Sequence, residues 1–561
     1  MAIESLPAEI QPEVTQAETN VRVARATGVL ALGNITSRIL GLAREIALTN
    51  LFGASRAVDA FNVAIIVPKA LYDLLIGGHV NSAIIPVLSE VATREGREAL
   101  WKLVSVLLSL VAVALAVMVL VIELFAPQVI QIVGGGFDPV TLGLATELLR
   151  LTAPALIFLG LFAVLSGTMY ALREFTWPAF AVAVFNGSIV LVTVLLAPAQ
   201  QLYPIITGPG LHFEWVIARP AHGIIAAAIG WLVGSLAQVT LQLPGMRGGR
   251  IYLTLRWNHP AIRQIMRLYA PVMFSLILDT LIIRTFSYNL ASQTGEGSIG
   301  YMNWATTLIQ FPQGLVATAI SIAILPTLSR QAALVNMEGE RAFKDTLGLG
   351  LRLAITLILP AAVGLFALAT PIVALLFQHG AFTPHDTAMT ALALRLYLVG
   401  LPFAAVDLLL VYAFYAQQDT LTPALVGLFS LLIYMVTAVL LFPRYGLFSL
   451  MIADSIKHIT HSLTSAYLLW RRMHGLGQQR LLLTMAKTGV AAGVMGLVAA
   501  ALLPTLEQLF GRATLLHEMA FVSLGGGISV VVFFVLAALF RIEELRWLTS
   551  LLQRRLSRKP N

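Results

Sequence analysis

Cysteine is absent from all 561 residues, which excludes disulfides and thiol chemistry and leaves the redox compartment unread. Charge is scarce as well. Asp, Glu, Lys and Arg make up 11% of the chain, against roughly a quarter of a soluble domain. With 58% hydrophobic residues and a mean hydropathy of +0.85, this is the composition of a polytopic membrane protein. No Walker loop, dinucleotide fingerprint or nucleophile elbow occurs. Energy is therefore expected from a gradient or a potential, not from nucleotide bound by this chain, and the chain is not expected to be an enzyme. The first twenty residues carry Glu4, Glu9, Glu13 and Glu18 but no basic residue and no apolar core, unlike a secretory signal. Residues 1–21 are expected to be a disordered tail.

What the chain has in quantity is long apolar runs. A span needs about 20 residues at about 1.5 Å each, and charge-free runs of about that length lie near 103–122, 179–198, 223–243, 353–370, 421–442, 488–504 and 519–540. Placing helices between the polar breaks predicts an all-α protein of about fourteen transmembrane helices, starting near residues 22, 58, 101, 143, 177, 221, 261, 298, 346, 387, 421, 446, 482 and 516. With the N-terminus inside, the inner segments hold 22 basic residues and the outer ones 4, namely Arg56, Arg219, Arg444 and Arg512. That asymmetry predicts both termini in the cytoplasm. The net charge of +8 (pI about 9.7) is then explained by topology and lipid contact. No nucleic-acid partner is expected, since no reading helix or aromatic-interleaved basic patch is visible.

The chain repeats itself. "AIIPVLSEVA" (83–92) recurs as "AILPTLSRQA" (323–332), and "REGREA" (94–99) as "MEGERA" (337–342). Pro127 is answered by Pro371, "FDP" (137–139) by "FTP" (382–384), Arg150 by Arg395 and "WPA" (177–179) by "TPA" (422–424). About six helices separate the equivalents, so the halves share one orientation, a parallel repeat about an axis along the membrane normal. This predicts two six-helix lobes, 22–245 and 246–475, with a cavity between them and alternating access by rocking. Helices 13 and 14 (476–545) stand outside the repeat, followed by a basic cytoplasmic tail, 546–561.

Charge inside the spans marks the candidate site, because ionisable residues at membrane depth are costly and face cavities or partners. In "SRILGLARE" (37–45), Arg38 lies about 24 Å and Arg44 about 33 Å along the first helix from Arg22. Arg38 and Glu45, seven apart, share a face, while Arg44 is rotated away and Gly41 permits a kink. Arg44 and Glu45 could also reach headgroups, and Asp59 on the second helix could be a structural salt bridge with Arg56 or with an arginine of the first helix. Asp279 and Arg284 on helix 7, Asp407 on helix 10, and Asp454 with Lys457 on helix 12 follow. Asp279, Asp407 and Asp454 are cation or proton candidates, although Asp454 and Lys457, three apart, can neutralise each other. His458 and His461 in "HITH" could share a helical face, but without a third ligand no metal site is expected.

The stretches "SRILGLAREIALTNLFGASRAVDAFNVAIIVP" (37–68), "NSAIIPVLSE" (81–90), "FPQGLVATAISIAILPTLS" (311–329) and "LLFQHGAFTPHDTAMTALAL" (375–394) resemble the MurJ (MviN) family of lipid II flippases, part of the multidrug/oligosaccharidyl-lipid/polysaccharide exporter superfamily. The resemblance runs from about residue 25 to residue 540. It implies a bacterial plasma-membrane transporter that moves the undecaprenyl-pyrophosphate-linked peptidoglycan precursor between leaflets for cell-wall biosynthesis. It also implies no cofactor, coupling to membrane potential or sodium, contact with membrane lipids and cell-wall polymerases, and an apolar groove for the polyprenyl tail on helices 13 and 14. Carried over by motif, Arg38, Arg44 and Asp59 match cavity residues of the family, with Glu45 at the acidic position beside the second arginine. Two departures stand out. Tyr72, Asp73 and Gly77 replace charged positions of the second helix, and Thr306 and Thr307 replace an Asp-Arg pair of the eighth. Arg284 is the candidate replacement for the missing arginine. The departures leave open another polyprenyl-linked glycan as cargo, and a drug or cation antiporter of the same superfamily remains the alternative. The outer segment 199–220 reads as a loop.

Overall fold

The computed structural model describes residues 16–70, 79–197, 222–246, 248–254, 260–263, 265, 282–334, 337–475, 479–510 and 515–545. Asp279, Tyr72, Asp73, Gly77 and the segment 199–220 lie outside these. The chain is helical. In the N-terminal half run α1 (Gln16–Phe52), α2 (Arg56–Ala64), α3 (His79–Arg94), α4 (Gly96–Leu124), α5 (Ala126–Val133), α6 (Pro139–Thr152), α7 (Ala155–Ala171), α8 (Thr176–Leu196) and α9 (Ile225–Thr240). The C-terminal half holds α10 (Ile283–Ser292), α11 (Ser298–Pro312), α12 (Ala319–Ala332), α13 (Met337–Ala367), α14 (Ala369–Phe377), α15 (Pro384–Ala416), α16 (Leu421–Tyr445) and α17 (Phe448–Arg472). Last come α18 (Leu481–Phe510) and α19 (Leu515–Leu539).

Among the described residues, ten helices are long and apolar enough to cross a membrane. They coincide with ten of the expected spans. The remaining four expectations fall on the arginine-bearing α1, the interrupted 56–94 stretch, the partly described region before Ser292, and α17, which is too polar to register by hydropathy. Leucines such as Leu440 and Leu497, each 73% exposed, give the outside of the bundle the apolar surface that lipid requires.

The sequence repeat is a repeat of local structure. Pro86 lies inside α3 and Pro326 inside α12. The long helices α4 and α13 are each followed by a short one, and Pro127 and Pro371 stand in the first turns of these, α5 and α14. "FDP" and "FTP" are helix starts. Asp138 accepts from the Val140 and Thr141 amides, and Thr383 forms a capping box with Asp386, each with Pro at the first helical position. The Thr141 hydroxyl, and its amide after it, hold the Asp138 carboxyl below the usual carboxylate range.

Burial shows how the halves meet. At one end a single apolar core runs through both, joining Leu51, Phe61 and Leu148 to Trp304, Phe377 and Leu394. At the other end the core divides in two, one part around Leu88, Leu100 and Leu103, the other around Leu328, Leu347 and Phe414. The halves are thus fused at one end and forked at the other. A fourth cluster packs α18 and α19 together and against α13. Arg352 of α13 fastens the segment beyond α19 through a 2.7 Å ion pair to the buried Glu544, and its other arm reaches the Gln479 carbonyl at 2.7 Å.

Small residues set the helix spacing, as they do where lipid is no less apolar than the helix faces. Gly230 and Gly234, four apart on α9, face Ile189 and Phe185 of α8, and a Cβ on Gly234 would stand 2.8 Å from the Phe185 carbonyl oxygen. Trp231, between the two glycines in sequence, stands edge-on to Phe185 with ring centres 5.0 Å apart. Gly234→Leu is expected to cost about 1–3 kcal/mol by forcing the helices apart. Thermal unfolding in detergent should show the fall, and an unchanged Tm would remove this account of the α8–α9 contact.

Candidate functional site

In the fork lies a cavity of about 370 Å³. α1 supplies Arg38, Arg44 and Glu45, the α2 region Phe61 and Lys69, α9 Trp231, α10 Arg284, and α11 Thr306, Thr307 and Gln310. Four of the five expected substrate-binding residues are brought together here: Arg38, Arg44, Glu45 and Arg284. Lys69, in "VPKAL", went unmarked in the sequence, although a lysine in the apolar stretch after Phe61 was the available signal. Among the described residues, the charged side chains that line it are four cations and one carboxylate.

Arg38 is positioned by neutral oxygens, Arg44 by a carboxylate and an amide oxygen. α1 runs unbroken through Gly41, so Arg38 and Arg44 stand about 120° apart on it, and side-chain length brings both to the cavity. Arg38 donates to Asn34 Oδ1 and to the Gln310 carbonyl, each at 3.3 Å. Its guanidinium lies over Gly314 in the π-helical turn Gln313–Thr318 that follows Pro312. A Cβ on Gly314 would stand 2.5 Å from Arg38 Nη2, so a glycine there is a condition of the arginine's placement. Arg44 bonds Glu45 Oε1 through Nη2 at 2.5 Å and Asn186 Oδ1 through Nη1 at 3.0 Å, with its guanidinium 6.0 Å from the centre of the Trp231 ring. The Thr306 and Thr307 hydroxyls bond backbone carbonyls of their own helix, so they line the wall without adding charge.

Asp59 lies elsewhere. It has no exposure, and its carboxylate accepts from the amides of Gly297, Ile299 and Gly300 at 2.8–3.1 Å. An anion at the exposed amides of a helix N-terminus is favourable, and here the anion belongs to one half and the α11 helix to the other. Arg56 adds its amide to Glu296 at 3.0 Å and its guanidinium to the Thr294 carbonyl at 3.2 Å. The expected Arg56 partner for Asp59 is thus replaced by backbone. Ala381 N–H donates to the Asn50 carbonyl at 2.8 Å, and Gly136 N–H to Ser292 Oγ at 2.9 Å. These bonds close the fork at the end where α1 stops.

Of the three cation candidates, the two within the described residues are also paired. Lys457 bonds Asp454 at 2.5 Å, and His461 Nδ1 stands 2.5 Å from Asp407 Oδ1. No group of three or more metal-ligating side chains occurs among the described residues.

The closure invites a test that a cysteine-free chain makes clean. Asn50→Cys with Ala381→Cys is expected to cross-link in the closed state. Asp59→Asn in that background removes charge-assisted bonds of about 1.5–3 kcal/mol, so the ratio of closed to open molecules should fall at least about tenfold. An undiminished cross-linking yield would mean that Asp59 does not hold the closure.

Comparison with known proteins agrees with this architecture. A family described as lipid II flippase MurJ matches residues 48–521. The lipid II flippase MurJ of Burkholderia cenocepacia is 30% identical over 422 residues, 73% of this chain and 77% of that one. The probable lipid II flippase MurJ of Bdellovibrio bacteriovorus is 29% identical over 540 residues, covering 94% and 97%. Among solved structures, a lipid II flippase MurJ in an inward closed conformation shares the fold with a TM-score of 0.72 at 23% identity over 92% of this chain and 99% of that one. An inward-facing multidrug-resistance MATE transporter superposes with a TM-score of 0.62 at 15% identity, over 79% and 96%. With the family model spanning most of the sequence, the chain belongs to the lipid II flippase MurJ family, a multi-pass membrane transporter and not an enzyme.

Proposed function

We propose that this protein flips lipid II, the lipid-linked peptidoglycan precursor, across the bacterial plasma membrane by alternating access. The observation that carries the reading is the convergence of Arg38, Arg44, Lys69 and Arg284 on one cavity in the fork. A pyrophosphate cannot enter hydrocarbon unaided, and arginine offers it forked, charge-assisted hydrogen bonds. Arg38 and Arg44 are the primary ligands, with Glu45 holding Arg44 in place. Arg284 serves the wall where Thr306 and Thr307 leave no charge. The Arg38 guanidinium, hydrogen-bonded to the neutral oxygens of Asn34 and Gln310, favours an anion over a cationic drug, which sets the antiporter reading behind this one.

In this reading 22–245 and 246–475 are the two rocking lobes, and α18 and α19 (within 476–545) hold the polyprenyl tail. With the termini in the cytoplasm, the closure at Asp59, Asn50 and Ala381 is the outer gate, and the cavity is the inner-side site. Membrane potential, sodium or protons would drive the cycle, a potential supplying about 2.3 kcal/mol per charge per 100 mV. Cell-wall polymerases would receive the product.

Complementation tests this. In a bacterium depleted of its own flippase, the chain is expected to restore precursor to the outer leaflet. Arg38→Ala should lower flipping by about tenfold to a hundredfold, the range for lost hydrogen bonds to a charged group. Arg38→Lys should recover only part of it, because a point charge replaces a fork. A well-expressed wild type that fails to rescue would mean another cargo, such as a different polyprenyl-linked glycan. Equal rescue by Arg38→Ala would remove the arginine cavity from the mechanism.

A further inference from the structure

A second ionic cluster lies within the C-terminal half, and the phosphate-handling cavity makes no use of it. On α17 the residues Asp454, Lys457, His458, His461 and Ser465 recur at spacings of three and four, and so share a face. Lys457 donates to Asp454 Oδ1 at 2.5 Å, and His458 Nε2 lies 3.6 Å from Asp454 Oδ2. His461 crosses to α15, where its Nδ1 meets Asp407 at 2.5 Å, with Ser465 Oγ at 3.4 Å from the same nitrogen. From α16 the ring of Tyr434 faces the Lys457 ammonium at 5.6 Å, its hydroxyl 2.7 Å from Ser287 Oγ of α10. Tyr397 and Tyr415 of α15 are the other titratable neighbours of the two carboxylates. Arg395 of α15 turns away to the Phe366 carbonyl and Thr370, and Arg444, the one charged residue of α16, stands at the far end of that helix.

Among its described residues the cluster holds two carboxylates, one ammonium and two imidazoles. With both imidazoles neutral these sum to one negative charge, and one proton brings the sum to zero. A metal cation would have to displace Lys457 from Asp454 or His461 from Asp407, whereas a proton needs no room.

The cluster also adjoins a side-chain contact on the backbone of α15. Leu396 O and Gly400 N, four apart on α15, would bond each other in a regular helix. Ser455 Oγ, next in sequence to Asp454, bonds both of these atoms, donating to Leu396 O at 2.6 Å and accepting from Gly400 N at 3.0 Å. A side chain inserted in the ladder is a recognised cause of helix bending, and Pro402 just beyond supplies no amide hydrogen. Asp407 lies about 7.5 Å further along α15. At its other end α15 begins at the closure, where Asp386 accepts from the Tyr301 hydroxyl of α11 at 2.7 Å.

We propose that Asp407 and His461, with Asp454 and His458, form a proton-binding site in the membrane, and that its occupancy sets the bend of α15 at the Ser455–Gly400 hinge and so the closure that α15 carries. The cycle then couples one proton to lobe rocking. The transport readout of this site rests on the flippase reading; its proton readout does not.

The test uses the full-length protein. In detergent, wild type is expected to take up about one more proton per molecule than the double variant Asp407→Asn/His461→Gln on titration from about pH 8 to pH 5, the interval in which histidine titrates. The double variant keeps an amide-to-amide hydrogen bond between the helices. If it does not fold, His461→Lys, which fixes the charge beside Asp407, should lose the same proton. In proteoliposomes at zero potential, with lipid II as the probe, one unit of pH difference should shift the wild-type leaflet distribution about tenfold. The double variant should show no such shift. Ser455→Ala should keep the proton and weaken its effect on transport. Equal proton uptake by wild type and variant, or an undiminished pH-gradient effect in the double variant, would overturn the proposal. Arg38→Ala separates the readings, since it should lose transport and keep the proton. A wild type that binds the proton but moves no lipid II would leave the site standing and remove the flippase reading.

Discussion

One carboxylate sets the state of this molecule. Asp59 belongs to the N-terminal half, is sealed from water, and is neutralised by three backbone amides at the start of α11 in the other half. A buried anion without partners is very costly, and an N-terminal helix turn without an acceptor leaves bare amides. Each half therefore holds what the other lacks, and parting them at this end exposes both needs at once. The continuous core around Leu51, Trp304 and Phe377 adds a non-directional attraction at the same end. At the forked end the halves have separate cores, so opening there asks for far less. The asymmetry between the two ends is thus one of polar satisfaction as well as apolar burial.

The cavity obeys the opposite rule. Arg38 is held by the neutral oxygens of Asn34 and the Gln310 carbonyl, and Arg44 by the Asn186 amide oxygen together with the Glu45 carboxylate. Neutral partners orient a guanidinium without cancelling its charge, so the charge of Arg38 is kept for an incoming anion. Trp231 contributes a polarizable face to Arg44, and its place between Gly230 and Gly234 makes that face as rigid as the α8–α9 contact.

Much of this was legible in the sequence because charge inside an apolar run is conspicuous. Arg38, Arg44, Glu45 and Arg284 stand out on that ground, the family motif adds to the first three and the missing arginine of the eighth helix to the fourth, and they line one cavity. The repeat was legible for a related reason: Pro86 and Pro326, and the caps at Asp138 and Thr383, are residue types with few structural uses. Asp59 was marked as well, but its partners are amides some 240 residues away, and backbone carries no sequence signature. Gly314 beneath Arg38, and Ser455 within the α15 ladder, are hidden for the same reason, since each acts through a contact between helices. The "HITH" spacing gave the shared face of His458 and His461. It could not give Asp407, which only the packing of α15 on α17 brings to His461.

The two grips on α11 connect the cavity to the closure. Asp59 holds its first turn, and Arg38 holds the Gln310 carbonyl near its last. The two lie at opposite ends of a helix of 15 residues, about 22 Å long. An anion that takes the Arg38 guanidinium takes it from that carbonyl, so binding in the cavity removes one of these two attachments of the N-terminal half to α11. The other attachment lies where the halves are fused, beside the Asn50–Ala381 bond. A ligand that changes the first grip without touching the second has differential contact with two arrangements of the same helix, and that is what a ligand needs in order to shift an equilibrium between them.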